Sequence, residues 1–113
     1  MQRGDLYLAQ FLYADLEAAK RRQVCVVSGG AFNQGPDLIV AMVTSRRARL
    51  RAPGVGDVTL QDWDGAGLLV PSTLRAGRLQ TMEARLLDGQ LGSLSPRDLD
   101  ATAGALRDVL QLA

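Results

Sequence analysis

The chain of 113 residues has no histidine, one cysteine, and aromatic side chains at only 4% of positions. Without an imidazole, no side chain titrates near neutral pH at its ordinary pKa, so any acid–base chemistry falls to less usual groups. A lone cysteine excludes an internal disulfide, and Cys25 sits inside an apolar run, where it reads as a small core residue. That usage fits a reducing compartment. No apolar run approaches the ~20 residues that a bilayer demands. The N-terminus shows no basic region followed by an apolar stretch, so a cytoplasmic chain without membrane association is expected.

What is present describes one folded domain over residues 1–113, with 47% hydrophobic and 22% charged residues. The net charge of +1 hides an asymmetry. Between positions 20 and 51 stand Lys20, Arg21, Arg22, Arg46, Arg47, Arg49 and Arg51, against Asp37 alone. This basic zone, on an otherwise mildly acidic body, suits a polyanion such as nucleic acid, although arginine runs are more often solvated loops.

Residues 4–12 read as a strand that is apolar on both faces, and 13–22 as a charged loop with at most one helical turn. Strands follow at 23–28 and 38–44, joined through the turn formers Asn33 to Asp37 into a long-looped hairpin. Residues 46–56, punctuated by Pro53, Gly54 and Gly56, read as an exposed loop. Asp57 to Gln61 alternates with period two, as a half-buried strand does. Residues 62–67 read as a turn or short helix, and short strands are expected at 69–76 and 78–83, joined near Gly77. Ser95, Pro96 and Asp98 form an N-cap, a first-turn proline and an acidic capping partner. They open a helix whose apolar face is Leu99, Ala103, Leu106 and Leu110. The fold class expected is α+β, mainly β: a small, curled, barrel-like sheet capped by a C-terminal helix.

If 23–28 and 38–44 pair antiparallel, the start of one lies beside the end of the other. Arg22 then meets Thr44 and Ser45 at one rim. A guanidinium beside a hydroxyl suits phosphates above all anions. Taken alone, Arg22 reads more readily as a surface ion pair with Asp15 or Glu17 than as a site residue, and Thr44 as an ordinary β-former.

The order of Arg3-Gly4-Asp5, an apolar strand, Lys20-Arg21-Arg22, a strand closing on Ser28, Phe32-Asn33 and a strand closing on Thr44-Ser45 resembles the MazF/PemK/Kid toxins of type II toxin–antitoxin modules. The likeness continues through Gly56-Asp57-Val58, Val70 to Arg75, Gln80 to Glu83 and the leucine-rich terminal helix. The resemblance implies an SH3-like, partly open β-barrel acting as a homodimer. It also implies a metal-independent, cofactor-free endoribonuclease cutting single-stranded RNA at specific sequences. Arg22 and Thr44 fall on the family's catalytic pair, and Glu17 on a loop position where some members carry a needed glutamate. Arg75 falls on an RNA-contacting position of the Kid branch, and Lys20, Arg21, Ser45 and Arg46 flank the pair as further RNA-binding candidates. A MazE/PemI-like antitoxin is the implied partner, with DNA binding by the toxin–antitoxin complex.

Three departures stand out: Gln23 and Met42 replace family prolines beside the site, and Gly77 stands where the Kid branch has an aspartate. The alternative functions are a CcdB-like toxin of the same fold that traps DNA gyrase, and an SH3-like peptide adaptor. The adaptor needs exposed aromatics, which this chain has little of. Trp63 and Tyr13 are the candidates for base stacking, with Trp63 also reading as a core residue.

Overall fold

The computed structural model describes the backbone of residues 1–12 and 19–113 and the side chains of 1–9 and 21–113. The apolar runs become strands β1 (Asp5–Leu12), β2 (Ala19–Val26), β3 (Asp37–Thr44), β4 (Asp57–Thr59), β5 (Thr73–Glu83) and β6 (Leu87–Ser93). Two α-helices accompany them, α1 (Arg47–Arg51) and α2 (Pro96–Leu110). All six strands form one antiparallel sheet in the order β4-β5-β3-β2-β1-β6. The sheet is open, since no ladder among the described residues joins its edges β4 and β6. The segment that follows β4 nevertheless packs on β6. A Cβ at Gly67 would lie 2.0 Å from the Leu91 carbonyl oxygen, and one at Gly92 2.1 Å from that of Ala66. Only glycine permits that approach.

Strand alternation sorts the core into two clusters, one on each face of the sheet. Leu6, Cys25, Ala41, Val43, Val58 and Leu74 face α2, which contributes Leu99, Ala105, Leu106 and Val109, and Trp63 packs there as well. Burial pushes the Cys25 thiol up to about 12, so it is an inert core residue at neutral pH. The opposite face buries Tyr7, Ala9, Val24, Val26, Leu38, Val40 and Met82.

Several sequence expectations are corrected. Residues 19–22, expected in a loop, extend β2 because β1 offers a partner out to Leu12↔Ala19. The supposed loop after β3 contains α1, a single turn of helix too short for any periodic signal. The two strands expected around Gly77 are one strand. Ala41 faces Leu79 while Met42 faces Arg75, so Ala76, Gly77 and Arg78 are extra residues bulging out of the ladder. Strand β6 was not expected at all.

Helix α2 starts where its cap predicts, with Asp98 N–H donating to Ser95 Oγ at 3.3 Å. Its buried stripe is rotated, however. Asp98 and Thr102 are buried and Leu110 is half-exposed, so the stripe runs through 98, 102, 105/106 and 109 rather than through Ala103 and Leu110. The Asp98 carboxylate does not reach back to the cap. It accepts from the backbone N–H of Gln61 at 2.9 Å and of Asp62 at 2.8 Å, fastening the helix to the end of β4.

A second, exposed bridge lies over that joint. Arg97 donates to both oxygens of Asp62 at 2.7 Å, and Ser95 Oγ donates to Oδ2 at 2.6 Å. The Arg97 bond first, then the serine bond, holds the Asp62 carboxyl down at about 2. Its ordinary value in an unfolded chain is ~3.9. A depressed folded value contributes stability that is present above ~4 and fades as pH falls toward about 2. Solvent screening keeps that contribution small. Asp62→Asn should therefore melt slightly earlier at neutral pH and show a shallower drop in Tm between pH 4 and 2. Parallel thermal melts check this, and identical acid slopes would reject it.

Candidate functional site at the β2–β3–β5 rim

The hairpin register determines which side chains share this rim. Val24 faces Met42 and Gln23 faces Val43, so the next step of the same register sets Arg22 opposite Thr44. Residues directly opposite project to the same face. Both are half-buried, neither sealed in the core nor fully solvated. Along the same cross-strand row Arg22 has Ala9 on its other flank, Thr44 faces Thr73, and Thr73 faces Thr59 on β4. The adjoining row runs Tyr7, Val24, Met42, Arg75 and Asp57. Arg75 therefore lies on the face that carries Arg22 and Thr44, one row inward.

Thr44 is held by its own turn. Its Oγ1 accepts the Arg46 N–H at 3.2 Å, the local side-chain-to-backbone bond that threonine favours at a strand end. A hydroxyl has one proton and two lone pairs, so the proton and one lone pair stay available for a ligand.

Arg75 pairs with Asp57, not with Glu83 as its sequence neighbourhood allows, while Glu83 pairs with Arg85. Asp57 is nearly buried, its side chain 4% exposed. It accepts the Gly54 N–H at 2.8 Å and lies 3.4 Å from Arg75 Nε and 3.8 Å from Arg49 Nη1. Two guanidiniums around one carboxylate leave this corner net positive and hold Arg75 in a fixed direction. Arg49, assigned to an exposed loop by the sequence, is thus tied to the rim through α1. Asp57 had no expected role, although the alternation Asp57-Val58-Thr59 already places Asp57 and Thr59 on one face.

The remaining candidates divide. Ser45 and Arg46 are exposed immediately beyond Thr44. Arg21 points by alternation away from Arg22 and bonds Asp88 of β6 at 2.9 Å, so it does not join the pair. Lys20 belongs to β2, but its side chain lies outside the described residues, as do Glu17 and Tyr13. No helix among the described residues is long and apolar enough to cross a membrane.

A family model described as "PemK-like, MazF-like toxin of type II toxin-antitoxin system" matches residues 2–110. The chain belongs to this family. Its membership bears out the resemblance read from the order of motifs, and it makes the chain a toxin of the type II toxin–antitoxin class.

Solved structures of PemK/MazF-type toxins share the fold. An endoribonuclease in complex with its cognate antitoxin from a mycobacterial species superposes with a TM-score of 0.81 at 20% identity, covering 100% of this chain and 97% of that one. A MazE-MazF complex from Deinococcus radiodurans gives 0.78 at 22% identity, with 100% and 97% coverage. The Mycobacterium tuberculosis toxin MazF-mt6 gives 0.75 at 22% identity, with 96% and 98% coverage. These likenesses establish the α+β fold with its open, barrel-like sheet as that of MazF toxins. A search of curated proteins finds no match for this chain.

Proposed function

We propose that this toxin is an endoribonuclease that cleaves single-stranded RNA at specific sequences without a metal ion. The observation that carries the reading is the β2–β3 register, which continued one step past Gln23↔Val43 brings Arg22 and Thr44 to one half-buried rim, with Arg75 in the next row of the same face. Membership of the PemK/MazF family supports the same activity.

RNA brings its own nucleophile, which is why a site without histidine suffices. The 2′-hydroxyl attacks the adjacent phosphorus and the 5′-oxygen leaves, giving a 2′,3′-cyclic phosphate and a 5′-hydroxyl. The protein must align the sugar, stabilise charge on the phosphorane-like transition state and move two protons. The planar fork of Arg22 bonds two non-bridging oxygens and protonates the leaving oxygen. Thr44 donates its hydroxyl proton to the phosphate, and Glu17 takes the proton from the 2′-hydroxyl. Arg75, aimed by Asp57, holds a neighbouring phosphate, with Ser45 and Arg46 just beyond Thr44, and Lys20 is a further RNA-binding residue in this reading.

The working unit in this reading is a homodimer, restrained by a MazE/PemI-like antitoxin. An acidic, disordered antitoxin segment matches the same basic rim that attracts RNA, so the two compete for it. The mycobacterial endoribonuclease was solved with its cognate antitoxin and the Deinococcus MazF with MazE, which supports such a partner here.

The test is incubation of the purified protein with a long single-stranded transcript in EDTA, followed by mapping of fragment ends. Discrete fragments with 5′-hydroxyl and cyclic phosphate termini are expected. Intact RNA would refute the reading, and intact RNA together with poisoned DNA gyrase would replace it with the CcdB-like one.

A further inference from the structure

Thr73 occupies the centre of a row of three threonines, between Thr44 and Thr59. It is fully buried, and among the described residues its Oγ1 has no hydrogen-bond partner. An unsatisfied buried hydroxyl is destabilising, and valine would fill the same space without that cost. Its neighbour Thr44 has spare capacity: Oγ1 accepts from Arg46 N–H, which leaves one lone pair open.

We propose that Thr73 is a positioning residue for Thr44, supplying the hydrogen bond that completes Thr44's valence when RNA is bound. Among the described residues, the Thr44 hydroxyl is held only by the Arg46 amide. When its proton turns to a phosphate oxygen, the open lone pair on Oγ1 accepts the Thr73 hydroxyl across the strands, as paired threonines do. The hydroxyl then makes three bonds, is fixed in one rotamer, and becomes a better donor because chained hydrogen bonds polarise one another. Thr73 touches no substrate, because it is fully buried between its neighbours on that face. Its misfit in the free state is the counterpart of its use in the bound state. This inference rests on the RNA-cleaving reading of the Arg22–Thr44 site.

The experiment compares Thr73→Val and Thr73→Ser with the parent by thermal melting and by steady-state cleavage of a short RNA substrate. Valine is expected to leave Tm equal or higher and to lower kcat about three- to tenfold, with KM within about twofold, because the Thr44–phosphate bond that Thr73 strengthens counts most as charge develops in the transition state. Serine, which keeps the hydroxyl, is expected to retain the parent's kcat. A valine variant that cleaves as fast as the parent overturns the inference. So does one that melts earlier, since that would reveal a partnered hydroxyl in the free protein, and so does a serine variant as slow as valine. These failures leave the ribonuclease reading standing. A parent that cleaves no RNA removes that reading, and the role of Thr73 with it.

Discussion

Arg22→Ala is expected to lower the rate of RNA cleavage by about 10²–10³-fold, the usual loss when one preorganised donor to a transition-state oxyanion is removed. That factor corresponds to ~2.7–4 kcal/mol of transition-state stabilisation. Arg22→Lys should rescue little of it. An ammonium is a point charge and cannot bond two non-bridging oxygens in one plane, as the guanidinium fork does. The effect should appear in kcat more than in KM, because charge on the phosphorane develops only as the bond order changes. With no histidine in the chain, the parent's rate should show no histidine-type bell near pH 6–7. Single-turnover cleavage of a defined oligonucleotide measures these quantities, with a thermal melt to verify that each variant is folded. A folded Arg22→Ala protein that cuts at the parent's rate would dissociate the rim from the chemistry.

The largest structural effect is expected at Asp98. Its carboxylate is buried and accepts two backbone N–H groups, from Gln61 and Asp62, at 2.9 and 2.8 Å. Alanine there leaves both donors without an acceptor where water does not easily reach. Each orphaned amide costs ~1–3 kcal/mol, and the bonds lost are charge-assisted, so Asp98→Ala should lose about 3–5 kcal/mol. Domains of this size are stable by only ~5–15 kcal/mol. At ~4–8 °C per kcal/mol the fall in Tm should exceed about 12 °C. Asp98→Asn keeps one carbonyl acceptor and should lose about half as much. Urea unfolding with a common m-value checks the ranking. An alanine variant melting within ~2 °C of the parent would show that the joint between α2 and β4 is held by apolar packing alone.

The two sites differ in how far local sequence could reveal them. The Arg22–Thr44 juxtaposition follows from a short antiparallel hairpin of two apolar runs buried on both faces, in which Cys25 and Ala41 cannot trade faces with Val24 and Val40 without repacking both core clusters. Asp98 looks like a capping residue to any local rule, since Ser95 and Pro96 stand just before it. The donors it actually serves, the backbone N–H groups of Asp62 and Gln61, lie 36 and 37 residues away, and no local pattern encodes them. The Asp57 corner behaves similarly. Alternation gives its face, but the approach of Arg49 depends on where α1 turns the chain after β3.

Local chemistry settled the features that need only near neighbours. Apolar runs produced β1 and the β2–β3 hairpin, period-two alternation produced β4, and the Ser95-Pro96 cap placed the start of α2. Sheet membership of β6 was decided elsewhere. Leu87-Asp88-Gly89-Gln90-Leu91-Gly92-Ser93 has two glycines and no β-branched residue, so its own propensity argues against a strand. It is extended because the free edge of β1 holds backbone donors and acceptors that must be satisfied, pairing Asp5 with Ser93 across most of the chain. Gly77 shows the same division. The residue reads locally as a break, yet the ladders to β3 on either side keep β5 continuous and turn the glycine into a bulge. Short-range patterns choose conformations for a few residues at a time, whereas edge satisfaction, bulge position and buried-charge pairing depend on which distant backbone arrives alongside.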